Sequence, residues 1–309
     1  MDSNDGDEFG LNYEKYYGQS SIFSARFALG IFTEFIGTFI INYVGLLACL
    51  LHATDQLDVN ALVVGCAFGG SYLFVSKIFR KIGSCHFNPM LSLCSLFFGN
   101  LSILYCFLSF LAQIAAVSLA TSVLTSLHRE YDILYATVFK PEGISTMAML
   151  VAEFSGSLLV ISSRLVTTDK ANLDNYYTSL SMVLSITVFI PYSGGAINPA
   201  RAIGASLFTL QEVPDYYWIY WCGPLLASFI TIILLSLSSD ILVWPTGGLL
   251  YYNPTTVFIF RYIGVAHWGP PLLQSYYCLL AYFARKTQLQ TKSTSGFRDN
   301  GDFLHSVIS

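Results

Sequence analysis

Apolar, helix-length stretches recur along the chain at about 24 to 51, 59 to 79, 101 to 126, 145 to 168, 177 to 192 and 216 to 239, separated by polar segments. About 20 such residues cross roughly 30 Å of hydrocarbon as an α-helix, and several such runs do not occur together in a water-soluble domain. The pattern therefore predicts an all-α membrane protein with six spans. Two shorter apolar stretches interrupt it, "NPMLSLCSLFFG" at 88 to 99 and "NPARAIGASLF" at 198 to 208. Each is about half the length a span needs. Both begin with Asn-Pro, a favoured N-cap followed by the one helical position where a missing N–H costs nothing. They predict short helices, 88 to 98 and 198 to 208, that enter the membrane by their N-termini. Irregular backbone at that depth is tolerated only where protein or a water-filled cavity satisfies it, so two opposed half-helices imply an aqueous path.

The two halves of the chain repeat. "TEFIGTF" at 33 to 39 opens the first span and "AEFSGSL" at 152 to 158 opens the fourth, so Glu34 precedes Asn88 as Glu153 precedes Asn198. Three spans and a half-helix, twice, make the repeats inverted in the membrane. An acid inside a span is costly and marks function; these two serve either that or the bracing of the re-entrant loops, by accepting their backbone N–H groups. The expected organisation is an N-terminal tail (1–23), a first repeat (24–127), an outer loop (128–144) and a second repeat (145–240), followed by an apolar, Pro-broken interfacial segment (241–287) and a disordered tail (288–309).

Charge then orients the spans. Lys77, Arg80 and Lys81 follow the second, Arg164 and Lys170 the fourth, and Arg261, Arg285, Lys286, Lys292 and Arg298 the sixth, whereas the other side carries only Arg129 and Lys140. The excess of basic residues places both termini in the cytoplasm. With 54% hydrophobic and 11% charged residues and a mean hydropathy of +0.57, the chain lies far from soluble composition. The small acidic excess sits mainly in "MDSNDGDEFG", which excludes a basic nucleic-acid surface. The seven cysteines show no CxxC pairing, so neither a metal site nor a disulfide framework is expected. There is no GxSxG turn and no HExxH pair; apart from the adjacent Cys85-His86, no nucleophile stands near a histidine, and the chain does not read as an enzyme.

The boxes "SCHFNPM" and "SGGAINPARAIG", with "TEFIGTF", Gln113 and "WIYWCGP", resemble the aquaporin (major intrinsic protein) family over about residues 24 to 240. The resemblance implies a six-span fold with two re-entrant half-helices, a homotetramer with one pore per subunit in the lipid bilayer and no cofactor, and passage of water with exclusion of protons and ions. It makes Asn88, Pro89 and Met90 the first box and Asn198, Pro199 and Ala200 the second. Met90 departs from the usual alanine. The outer filter implied is Phe68, Ile186, Gly195 and Arg201, where Ile186 replaces the histidine of strict water channels and Gly195 adds no bulk. His86 and Cys85 are expected at the inner vestibule, Cys85 because it stands three residues before Asn88 as Gly195 stands before Asn198. Ala202, in place of the aspartate of glycerol conductors, and the Tyr220-Trp221 pair favour water, with small neutral solutes as side substrates. The alternatives are an aquaglyceroporin-like solute facilitator and a poorly conducting scaffold of the same fold.

Overall fold

Eight helices carry the described residues, and no strand occurs among them: α1 (Ala25–Ala53), α2 (Ala61–Phe79), α3 (Pro89–Phe97), α4 (Ile103–Leu127), α5 (Thr146–Val166), α6 (Asp174–Ser193), α7 (Pro199–Ser206) and α8 (Ile219–Leu242). The computed structural model describes residues 24–53, 60–128, 138, 140–166, 174–207 and 213–242. The expected N-terminal tail, the interfacial segment beyond residue 242 and the C-terminal tail lie outside them, as does most of the loop at 128–144. By internal contact the chain divides into a unit ending at Leu235 and a second beginning at Ser236; of the latter, only the end of α8 is described.

α1, α2, α4, α5 and α8 are long and apolar enough to cross a bilayer. The 29 residues of α1 reach roughly 44 Å at 1.5 Å per residue. α6, of 20 residues, is the less apolar exception, carrying Asn175, Thr178, Ser179, Ser185 and Pro191. Its hydroxyls are satisfied by the helices it packs on: Ser179 Oγ donates to the Gly69 carbonyl of α2 at 2.6 Å, and Ser185 Oγ to the Gly156 carbonyl of α5 at 3.1 Å. The helix starts three residues before the apolar run because its first turn is held by polar contacts. Asn175 accepts from Arg164 Nη1 at 2.8 Å, and Lys77 Nζ lies 4.0 Å above the Tyr176 ring.

Polarity is distributed inside out relative to a soluble bundle. Leu180, Leu184 and Val188 form an exposed apolar stripe at four-residue spacing on α6, and Phe74 and Ile78 do the same on α2, while Glu34, Gln113, Glu153 and Arg201 are buried. Such a surface suits lipid, with polar groups kept to the interior.

The packing follows the repeat. α1 pairs with α2 as α5 pairs with α6, while α2 meets α6 and α3 meets α7 across the pseudo-twofold axis. At the α2–α6 contact, a Cβ on Gly65 would meet the Thr187 side chain and the Val183 carbonyl, and one on Gly69 the Val183 side chain and the Ser179 carbonyl. Small residues four apart allow that approach, as in other membrane helix pairs. Gly69→Ala is expected to cost about 1–3 kcal/mol by overpacking, seen as earlier heat-induced loss of the monodisperse peak on size exclusion in detergent. Gly70→Ala is the control, since a Cβ there meets nothing within 4 Å, and its profile should match the parent.

Candidate functional site

The site is built where α3 and α7 begin. Asn88 (φ −150°, ψ 125°) and Asn198 (φ −140°, ψ 110°) are extended N-caps, each with proline at the first helical position. Their side-chain oxygens accept from the second residue beyond, Met90 N at 2.9 Å and Ala200 N at 3.0 Å. The half-helices have 9 and 8 residues, together roughly 26 Å at 1.5 Å per residue, so the pair covers about one bilayer crossing.

The chain reaches each cap through left-handed backbone. Cys85 (φ 53°) and Phe87 (φ 54°) precede the first cap, and Gly195 (φ 58°) and Ile197 (φ 54°) occupy the matching places before the second. That region is unfavourable for Phe and strongly so for a β-branched Ile, and two buried carboxylates hold it in place. Glu34 accepts from His86 N (2.9 Å), Phe87 N (2.8 Å), Ser84 Oγ (2.7 Å) and Gln113 Nε2 (2.8 Å). Glu153 accepts from Ala196 N (3.0 Å), Ile197 N (2.6 Å) and Ser193 Oγ (2.6 Å). Both acids are fully buried, with their oxygens directed at loop donors.

Each cap is also tied to the opposite loop. Asn88 Nδ2 donates to the Ile197 carbonyl at 3.2 Å and Asn198 Nδ2 to the Phe87 carbonyl at 2.9 Å. A carboxamide nitrogen carries two hydrogens, so each asparagine keeps one donor beyond this exchange. Both asparagines line a cavity with about 20 Å³ of water-accessible space, enough for a water molecule. The two helix N-termini add roughly half a positive charge each.

Arg201 on α7 is 1% exposed. Its Nη1 donates to the Gly195 carbonyl at 2.7 Å, and its Nη2 contacts the Gly194 carbonyl at 3.4 Å and Cys49 Sγ at 3.3 Å. The guanidinium carbon lies 4.3 Å over the Phe68 ring, in cation–π range. Arg201 places its guanidinium in the lining of the cavity.

Of the residues expected from sequence, the cavity brings together Phe68, Ile186, Asn88, Asn198 and Arg201. Gly195 stands behind this wall and contributes its carbonyl to Arg201. Met90 packs in a cluster with Leu91, Cys94 and Ile161, and Pro89, Pro199 and Ala200 lie off the lining in the first turns of their helices. The His86 ring is taken up by Ser92 Oγ at 3.2 Å and Ser95 Oγ at 2.9 Å. The Cys85 side chain is buried in the core cluster that includes Phe68, Tyr72 and Ile186, and its carbonyl accepts from Tyr72 Oη at 3.4 Å.

Sequence reasoning missed Asn42, Tyr72 and Met182 in the lining. Helical spacing offered the signal, because Tyr72 lies four residues after Phe68 and Met182 four before Ile186, one turn along the same face. Asn42 is a polar interruption of an apolar span, its Nδ2 donating to the Thr38 carbonyl at 2.8 Å. Arg164, used above only to orient the spans, is 6% exposed and donates from Nη2 to the Ser84 carbonyl at 3.2 Å. Nothing in the sequence set it apart from the surface cations.

Two half-helices meeting at their N-termini inside a bundle of long apolar helices, with a cavity at the meeting point, define a membrane channel rather than an enzyme. The family model described as "Major intrinsic protein" matches residues 21–234, and the chain belongs to that family. It is 27% identical over 218 residues to "Aquaporin-1" of Mus musculus, covering 66% of this chain and 80% of that protein. Identity is 29% over 234 residues to "Probable aquaporin PIP2-7" of Oryza sativa subsp. japonica, covering 69% of this chain and 78% of that protein. "Aquaporin-8" of Botryotinia fuckeliana is 26% identical over 211 residues, which span 64% of each protein. Among solved structures, the X-ray structure of the aquaglyceroporin from Plasmodium falciparum has the same fold, with a TM-score of 0.58, 19% identity, and coverage of 66% of this chain and 93% of that one.

Proposed function

We propose that this family member conducts water as its principal permeant and excludes protons and ions. The observation that carries the reading is the pair of asparagines at the meeting half-helix N-termini, each with one amide hydrogen left over for a permeant. A water oxygen that accepts from both has its own hydrogens turned outward, which breaks a proton-relaying chain of water. The half-helix dipoles and Arg201 raise the potential for cations along the same path. In this reading Phe68, Ile186, Gly195 and Arg201 form the filter, the channel is a homotetramer with a pore in each subunit, and both termini are cytoplasmic.

A second reading, an aquaglyceroporin-like facilitator, is favoured by one feature. Ile186 is apolar where a polar ring would select for water, and Gly195 lends the filter no side chain. Stopped-flow light scattering on purified protein in liposomes separates the readings. Fast water flux with little glycerol flux is expected, and Arg201→Val should raise glycerol flux several-fold by widening the filter. Glycerol flux in the parent comparable to that of the variant would favour the facilitator; absence of any flux above bare liposomes would leave the scaffold reading.

A further inference from the structure

Asn42 is a polar residue of the cavity wall to which the channel reading gives no task. It lies on α1 about two turns beyond Glu34, and it lines the cavity together with Asn88, Asn198 and Arg201. An amide this deep in an apolar span is costly unless it faces other polar groups or a water-filled space. Its Nδ2 donates to the Thr38 carbonyl at 2.8 Å, which fixes the way the amide is turned. The Oδ1 then accepts from no group among the described residues. Unlike the unpartnered Thr38 Oγ1 one turn earlier, it is not sealed inside the protein. The open space that it meets is the cavity.

The wall otherwise offers hydrogens. Asn88 and Asn198 use their side-chain oxygens to cap Met90 N and Ala200 N, which leaves amide hydrogens for the path, and the guanidinium of Arg201 has donors alone. A molecule whose oxygen accepts from these groups must place its own hydrogens elsewhere. Asn42 Oδ1 is an acceptor on the same cavity. The inverted repeat does not supply a second one: the register that pairs Glu34 with Glu153 pairs Ile41 with Val160, both in the lining, but pairs Asn42 with Ile161. Ile161 packs in the apolar cluster around Met90. The amide is therefore an addition to the first half and no part of the repeated scaffold.

We propose that Asn42 is a specificity-determining contact of the permeant: Oδ1 takes a hydrogen from the molecule in the cavity while that molecule's oxygen accepts from Asn88 or Asn198. The inference rests on the channel reading above. It selects for small neutral molecules that carry both an acceptor oxygen and an O–H or N–H donor, water first among them. The contact replaces one of the hydrogen bonds that such a molecule gives up on leaving bulk water, and so lowers the barrier at the centre of the path.

The test compares the full-length parent with Asn42→Leu and Asn42→Ala in liposomes, with osmotic water permeability normalised to monodisperse protein incorporated. Both variants should fold, because the Thr38 carbonyl keeps the backbone N–H of residue 42 as its helical partner. Both remove the acceptor, but leucine adds bulk to the wall whereas alanine adds room. Unit permeability is expected to fall in both by roughly two- to tenfold, the range that one net hydrogen bond is worth, with a rise in activation energy. A fall in the leucine variant alone, with the alanine variant as fast as the parent or faster, would mean that size and not the acceptor controls flux, and would overturn the proposal. Rates in both variants equal to or above the parent's would also overturn it, and flux in any of the three leaves the channel reading standing. No flux from any of them overturns both.

Discussion

Glu153→Ala is expected to prevent the second half of the channel from reaching its folded state. The carboxylate accepts from two backbone N–H groups, Ala196 and Ile197, and from Ser193 Oγ. A buried donor left without a partner costs about 1–3 kcal/mol, so losing all three removes several kcal/mol from a total folding stability of about 5–15 kcal/mol. Ile197 would also have to keep its positive φ without the contact that holds it. The expected outcome is little or no monodisperse protein by fluorescence-detected size exclusion. Glu153→Gln should fall between, since its amide keeps one acceptor oxygen but turns an NH2 group toward loop donors. An alanine variant that melts like the parent would show that the loop is held by packing alone.

Asn198→Asp should have the largest effect on permeation among soundly folded variants. The asparagine oxygen that caps Ala200 N survives the change, so α7 keeps its start. The nitrogen that donates to the Phe87 carbonyl becomes an oxygen facing an oxygen, and the ionised side chain offsets the positive half-charges of two helix ends. Water loses a donor and cations lose their barrier. We expect water permeability to fall about tenfold, which corresponds to roughly 1.4 kcal/mol, together with a cation leak into liposomes under an imposed potential. Asn88→Asp, the pseudo-twofold mate, should behave alike. If flux through Asn198→Asp matched the parent and ions stayed excluded, the asparagine donors would not be the selective element.

The parts of this molecule most legible in the sequence are those set by local chemistry. Asn-Pro announces a capped helix wherever it falls, and the half-helices begin at Pro89 and Pro199 as that rule requires. The long helices follow from apolar runs, with α6 starting earlier than the run because Asn175 and Tyr176 find partners on α5 and α2. Less legible is whatever depends on which face of a span turns inward. Both faces of these helices are apolar, one toward lipid and one toward the core, so hydropathy alone does not distinguish the Phe68–Tyr72 face from the one that carries Phe74 and Ile78. Arg164 illustrates the same difficulty, since a cation at a helix end reads as a surface charge until the loop it binds is seen. His86, assigned to the vestibule by position, has both ring nitrogens engaged by Ser92 and Ser95 of α3, hydroxyls that sequence spacing did not connect to it.

The exchange between Asn88 and the Ile197 carbonyl joins residues 109 apart, which gives the pore a timetable. A ribosome adds about 5–20 residues per second, so the first half-helix waits on the order of ten seconds for the partner that completes its tip. During that interval Glu34, whose loop partners are about 50 residues away, is already available to hold the loop. The first repeat must therefore be inserted and kept in shape as a half-finished structure, and a chaperone or lipid that shelters it would act in that interval of synthesis.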